Sequence, residues 1–324
     1  MTLAQAQHFV APPHWTWYIL FYFFVAGISG GSYLIATLFR LRGDRADEPA
    51  ARLGYYVAFV ALLPAPILLT LDLGKPLRFW HMMWNTTPGE PGLNFKYWSP
   101  MSVGVWALLL FGVFATVSFL ESLVRDGKLG RPGGRGLDGV FGRVFITVGA
   151  ILGLFIAGYT GVLLAVSNQP VWSDTWALGG LFLASGLSGS AAMLVLLQRA
   201  RPAARASEGT LVRSERLYAV LELALIVIFV VTLIPDGTLG IVFGFPWLLL
   251  WLVAFAGLVP GIAGLLTSGL TVRGEPAAAH RQSGSGGTAV AAAERTSVMT
   301  SVAMPVLVLL GVLALRAAII FSIQ

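Results

Sequence analysis

The chain has 324 residues, of which 56% are apolar and only 11% charged, against roughly a quarter charged in an ordinary soluble domain. That composition excludes a soluble globular protein and identifies a polytopic membrane protein. The formal charge of +6 is a topology signal rather than a nucleic-acid footprint, because the basic residues gather in alternate loops.

A helix that crosses the hydrocarbon core needs about 20 apolar residues. Eight runs meet that requirement, at about 15–40, 53–72, 99–123, 141–166, 174–198, 215–235, 243–271 and 298–322. The expected fold is an all-α membrane protein of eight transmembrane helices in two four-helix bundles, residues 1–170 and 171–324. Seventeen of the 21 lysines and arginines fall in the odd-numbered loops: Arg40, Arg42, Arg45 and Arg52, then Arg125, Lys128, Arg131, Arg135 and Arg143, then Arg199, Arg201, Arg205, Arg213 and Arg216, then Arg273, Arg281 and Arg295. Basic loops stay on the cytoplasmic side, so both termini and the second loop are expected outside. With no cysteine, disulfides, thiolate metal sites and protein-held iron-sulfur clusters are excluded.

The tail before the first span carries His8 and His14. It lacks a basic region and an Ala-x-Ala-like site, so the first span is expected to stay in the mature protein. Trp15, Trp17, Tyr18 and Tyr22 read as an interfacial aromatic belt. Farther along, Ala26 to Ser32 are mostly small and permit close helix approach. Pro64 and Pro66 lie within the second span.

The second loop and its flanks concentrate polar chemistry: Asp72, Lys75, Arg78, His81 and Lys96 among Phe79, Trp80, Trp84 and Trp98, before Ser99-Pro100-Met101-Ser102 opens the third span. Near the inner end of the third span, Glu121 is expected to pair with Arg125 at i,i+4. The fourth span holds Gly158-Tyr159-Thr160-Gly161, with Tyr159 about 10 Å below the outer end at 1.5 Å per residue. In the fifth span, Ser185 to Ser190 align with Ala26 to Gly31 at an offset of 159 residues, suggesting a parallel repeat of four-helix units. The outer connections of the second unit, Ser167 to Asp174 and Pro235 to Thr238, are plain by comparison. Glu222 lies deep in the sixth span, where charge is costly, and suits either a proton path or a hydrogen-bonded buried carboxyl. The loop from Arg273 to Arg295 reads as an Ala/Gly/Ser linker. Arg316 in the last span is expected to neutralise Asp236 or Asp72, or to snorkel.

The four histidines, His8, His14, His81 and His280, are not paired deep in spans, and Lys75, Lys96 and Lys128 lie in loops. A haem pair and a retinal-type Schiff base are therefore excluded. If electrons pass through the protein, their carrier must be lipid-soluble, which means a quinone. Such a site needs an apolar slot, donors for the carbonyls and a proton route. Asp72, His81 and Tyr159 are the candidates for that chemistry, and His14, Asp72, Arg78, His81 and Tyr159 for holding the ring. Plainer readings stand beside these: Asp72 paired with Lys75 or Arg78, His81 as interfacial filler, Tyr159 as part of the belt and His14 as a solvated residue.

Asp72-Leu73-Gly74-Lys75-Pro76, His81, Ser99 to Ser102 and Tyr159-Thr160-Gly161 resemble the NrfD/polysulfide-reductase family of integral membrane subunits. The resemblance covers spans one to five. It implies a quinone-interacting anchor of a respiratory iron-sulfur and molybdenum oxidoreductase in a bacterial or archaeal cytoplasmic (inner) membrane, inactive alone. It also implies an iron-sulfur subunit docked on Lys75, Arg78, Trp84 and Lys96, with a molybdopterin subunit beyond. Polysulfide-reductase-like members carry an Asn and a His on the outer half of the first span, where this sequence has Trp17 and Leu20; that separates it from a polysulfide-specific reading. The rivals are an ion or small-solute transporter using Asp72, Glu222 and Arg316, and a purely structural anchor.

Overall fold

The computed structural model of the protein describes residues 11–130, 137–271 and 287–324. Eight helices are long and apolar enough to cross a membrane: Trp17–Arg42, Glu48–Asp72, Pro100–Arg125, Gly139–Ala165, Leu178–Ala200, Pro202–Leu233, Trp247–Leu266 and Val302–Phe321. They coincide with the eight expected runs, and the chain is a multi-pass membrane protein. The tail with His8, the basic residues Arg131, Arg135, Arg273 and Arg281, His280, and most of the expected linker lie outside the described residues.

The helices pack as two rings of four. Spans one, two, three and four each touch the next, and the fourth returns to the first; spans five to eight repeat the pattern, with the eighth returning to the fifth. The first span also packs on the fifth and the eighth, which joins the rings. In the first and fifth spans 78% and 72% of the membrane window is buried, against 28% in the third and sixth, so the two rings meet along spans one and five.

Glycine makes that meeting possible. A Cβ on Gly27 would lie 3.4 Å from the Gly186 Cα, and one on Gly186 would lie 3.2 Å from the Gly27 Cα. The next turn repeats the contact: Gly31 abuts Ser190, whose hydroxyl donates to Gly186 O at 2.7 Å and Ile28 O at 3.0 Å. Gly27 and Gly186, like Gly31 and Ser190, are equivalent positions of the repeat read in the sequence. Equivalent residues that touch reciprocally imply a local two-fold relation between the rings. Gly30 faces the fourth span, where any Cβ would collide with the backbone carbonyl of Gly153.

At the basic end, side chains from several loops are tied together. Glu121 accepts from Arg125 at 2.8 Å, as expected, and also from Arg40 at 2.5 Å; Arg40 reaches Glu48 at 3.0 Å and Arg125 reaches Asp138. Pairing keeps these partly buried charges compensated. The second span breaks at Leu63 and restarts at Pro64, because neither Pro64 nor Pro66 supplies an N–H to the helix ladder.

Arg316 does not meet the expectation for it. It is fully buried and does not snorkel; its Nη2 donates to Phe182 O at 3.0 Å and its Nη1 to Val312 O at 3.3 Å. Among the described residues it makes no ion pair with Asp72 or Asp236; the acid near enough to act on its charge is Glu222 of the sixth span. The reason is geometric: Gly27 leaves room for the guanidinium, and a Cβ there would come within 2.8 Å of Nη2.

The close packing of spans one and four yields a direct test. Gly30→Ala should destabilise the protein by about 1–3 kcal/mol through overpacking, read as a lower thermal midpoint in detergent. Gly112→Ala should leave the midpoint unchanged, since its nearest neighbour would be Leu62 Cδ2 at 3.9 Å.

Candidate functional site

At the end opposite the basic loops, the first ring encloses a cavity of about 230 Å³. The broken second span brings Pro66, Leu69, Thr70 and Asp72 to it, and the first span brings Ile19, Tyr22 and Phe23. Met101, Gly104 and Leu108 come from the third span, and Tyr159 and Leu163 from the fourth. Phe79, Met82 and Met83 of the second loop close it. The walls are apolar, with one carboxyl and two phenols among them.

Thr16 caps the first helix, accepting from the Tyr18 N–H at 3.2 Å. Its hydroxyl in turn donates to Asp72 Oδ1 at 3.2 Å, so the start of span one is tied to the end of span two. Among the described residues Asp72 forms no ion pair with Lys75 or Arg78, and its plainer reading as a loop clamp does not hold. Tyr159 is 7% exposed and donates to Pro100 O at 2.6 Å, at the first turn of the third span. Its ring occupies the space over Gly104, where any Cβ would overlap it, and stacks on Phe155 with centroids 5.5 Å apart. Buried and bonded in this way, Tyr159 is a cavity wall and not a belt residue.

The loop is fastened by a residue that no sequence motif singles out. Asn94 donates from its side chain to His81 O at 2.9 Å and from its backbone to Met83 O at 2.8 Å. Its own carbonyl accepts from Trp106 Nε1 at 3.1 Å on the third span. A short antiparallel pair, Trp84 with Leu93 and Asn85 with Gly92, sets the register that brings Asn94 there. The 3-10 turn Pro76–Met82 then presents Phe79 and Met82 to the cavity.

His81 is not part of the cavity wall. Its ring stacks on Trp80 at 3.9 Å between centroids, and its Nδ1 lies 3.1 Å from Arg78 O, because the 3-10 turn gives the inward positions to its neighbours. Arg78 and His14 are exposed and also lie outside the lining, as do Trp17 and Leu20. Lys75, Arg78, Trp84 and Lys96 are all exposed on the outer surface of the loop, among Leu93, Tyr97 and Trp98, which are 71%, 77% and 67% exposed. The expected site cluster therefore divides, with Asp72 and Tyr159 in the cavity and the bases and His81 outside it.

Two residues expected at the interface belong to the cavity instead. Tyr22 is only 3% exposed and lines the cavity, and Trp15 lines it while stacking on Trp172, centroids 5.1 Å apart. Trp172 comes from the supposedly plain connection between spans four and five. It is fully buried, and its Nε1 donates to Ile319 O at 2.8 Å. The residue before it, Val171, sits at φ 69°, a strained value for a β-branched residue that the packing around it must hold. No periodicity in the sequence distinguishes such a buried loop from an exposed one.

Glu222 stands apart from this cavity. It lies in the sixth span, 3% exposed, one carboxyl oxygen having no hydrogen-bond partner among the described residues. Seven residues earlier on the same helix, about 10 Å at 1.5 Å per residue, Glu215 borders a second cavity of about 520 Å³ at the basic end.

The close fit of Tyr159 over Gly104 can be tested by a double-mutant cycle. Gly104→Ala should destabilise by about 1–3 kcal/mol. In a Tyr159→Ala background, where the opposing ring is gone, the same change should be close to neutral; melting of the four proteins in detergent gives the coupling.

Residues 5–266 match the sequence profile of a family described as Polysulphide reductase, NrfD. The protein NrfD of Escherichia coli K12 is 28% identical over 227 residues, 62% of this chain and 66% of that protein. One chain of the polysulfide reductase of Wolinella succinogenes is 27% identical over 182 residues, 54% of this chain and 55% of that one. One subunit of the selenate reductase of Mesobacillus selenatarsenatis is 26% identical over 107 residues, 33% of this chain and 22% of that one. The match thus spans between about half and two thirds of the length of the first two relatives.

Proposed function

The chain belongs to the polysulphide reductase NrfD family, and from that premise we propose that it is the membrane subunit of an oxidoreductase complex, with a quinone as the substrate of its outer cavity. The observation that carries this reading is that Asp72 and Tyr159 both line one slot whose walls are mostly apolar. Apolar walls with a few placed polar groups suit a quinone ring.

Interconverting quinone and quinol moves two electrons and two protons. In this reading the electrons cross to an iron-sulfur subunit seated on the exposed loop, where Lys75, Arg78, Trp84 and Lys96 would meet it, and a molybdopterin subunit lies beyond. Two of the relatives are named as components of a polysulfide and a selenate reductase, which supports a role within a complex. Asp72 holds or gives up a proton at its carboxyl, next to the loop and its solvent. Tyr159, oriented by its bond to Pro100 O, fixes the ring position and offers its phenol oxygen. Thr16 keeps the Asp72 carboxyl turned to the cavity mouth. The concentration of basic residues at the opposite end supports an outward-facing site with both termini outside, in a bacterial or archaeal cytoplasmic membrane.

Glu222 supports a second element of the proposal, a proton route from the basic side. Glu215 at the large cavity, Glu222 two turns deeper and Arg316 beyond it form a line of buried ionisable groups. Glu215 Oε1 and Arg316 Nε have no protein partners among the described residues, and Ser188 lies within reach of the Glu222 carboxyl, which suits relay through ordered water.

In the assembled complex, Asp72→Asn should lower quinone-dependent turnover by about 100-fold or more, the usual contribution of a general acid-base group, while His81→Gln changes it less than about twofold. Equal, small effects of the two would overturn the assignment of the cavity. With the complex in proteoliposomes, Glu222→Gln should abolish proton uptake from the basic side and leave quinone binding unchanged.

A further inference from the structure

On the flank of the molecule where spans two and three meet spans one and five, a groove of about 590 Å³ runs toward the basic end. Its walls include Phe24, Val60, Phe119 and Met193, and its mouth at the basic end is formed by Tyr56, Lys128 and Arg201. Along the second span it extends from Leu53 to Ala61, about 12 Å at 1.5 Å per residue. That is close to the ~15 Å hydrocarbon depth of one leaflet.

Charge at the mouth is unbalanced. Among the described residues Asp126 is the carboxylate that the mouth residues bind, and its oxygens are already occupied: Arg52 binds Oδ1 at 2.8 Å, while Arg201 at 3.3 Å and the Tyr56 hydroxyl at 2.7 Å bind Oδ2. Lys128 makes no ion pair with the described residues. Its ammonium lies 5.4 Å from the centre of the Tyr56 ring, and the Arg201 guanidinium lies 4.5 Å from the same ring. One aromatic ring thus gathers two cations at the rim of an apolar slot, with Arg52 behind them and a single acid among the three.

We propose that this groove binds one anionic phospholipid, its acyl chains in the slot and its headgroup phosphate between Lys128 and Arg201. A zwitterionic lipid would bring its own cation to a mouth that already carries an excess of them, so the site discriminates by headgroup charge. Juxtamembrane lysines and arginines attract anionic headgroups additively. Seated there, the lipid bridges spans two, three and five at the seam between the rings. The site is independent of the quinone reading, since it lies at the other end of the membrane and shares no residue with the outer cavity.

The test is native mass spectrometry of the full protein, delipidated and then titrated with phosphatidylglycerol, phosphatidylethanolamine or phosphatidylcholine of identical acyl chains. Wild type should retain one phosphatidylglycerol under activation that strips the other two. Lys128→Gln with Arg201→Gln should weaken that retention by about thirtyfold, and Arg205→Gln, an exposed arginine elsewhere on the same face, should not. Val60→Trp, which fills the slot and leaves every charge in place, should also displace the lipid. Equal retention of the three lipids by wild type, or phosphatidylglycerol binding unaffected in both the charge variant and Val60→Trp, would overturn the proposal.

Discussion

Everything in this molecule depends on how closely the first and fifth spans approach. In lipid, helices gain little from hiding apolar side chains, because the solvent is as apolar as they are; packing and hydrogen bonding must hold them together. Gly27 against Gly186, and Gly31 against Ser190, let the two backbones meet and let Ser190 reach carbonyls on both helices. The same glycine that permits the crossing leaves space for Arg316. A buried guanidinium, a helix crossing and the seam between two rings thus share one small residue.

The outer cavity is a consequence of that frame. With span one held at the centre, its outer end is positioned by Thr16 on Asp72 and by Trp15 on Trp172. Span two is interrupted at Leu63, and its outer segment brings Pro66 and Asp72 to the cavity. Gly104 then allows Tyr159 to lie across the third span and bond to Pro100 O. Asp72 and Tyr159 are each held by a partner on a different element, Thr16 and Pro100, so their geometry survives the absence of a soluble core. The loop above divides its own residues by the same logic: inward positions of the 3-10 turn go to Phe79 and Met82, and the cationic and aromatic residues remain on the surface.

The two ends of the membrane are built differently. At the basic end, Arg40, Glu48, Glu121 and Arg125 form a closed set of pairs in which each charge has a partner. Around Tyr56 the account does not close, and an excess of cations sits over an apolar slot. At the aromatic end charge is sparse and exposed rings such as Trp84, Tyr97 and Trp98 are prominent.

Much of this was determined by the sequence alone, for identifiable reasons. Span number follows from unbroken apolar runs, because a backbone in hydrocarbon must bond within its own helix. The Glu121 and Arg125 pair follows from helical spacing, and the equivalence of Gly27 and Gly186 from the repeat, though only the structure shows that they touch. Asp72 and Tyr159 were legible as candidates because an acid at a span end and a phenol between glycines are both costly in lipid, and the structure places both in the cavity lining. Tertiary structure alone decided the rest. Whether His81 or Met82 faces inward depends on the turn geometry that Asn94 sets; whether Tyr22 is a belt or a wall depends on which neighbour covers it. Arg316 bonds to the Phe182 carbonyl because the eighth span returns to the fifth, and no local pattern encodes which side chains such a meeting will bring together.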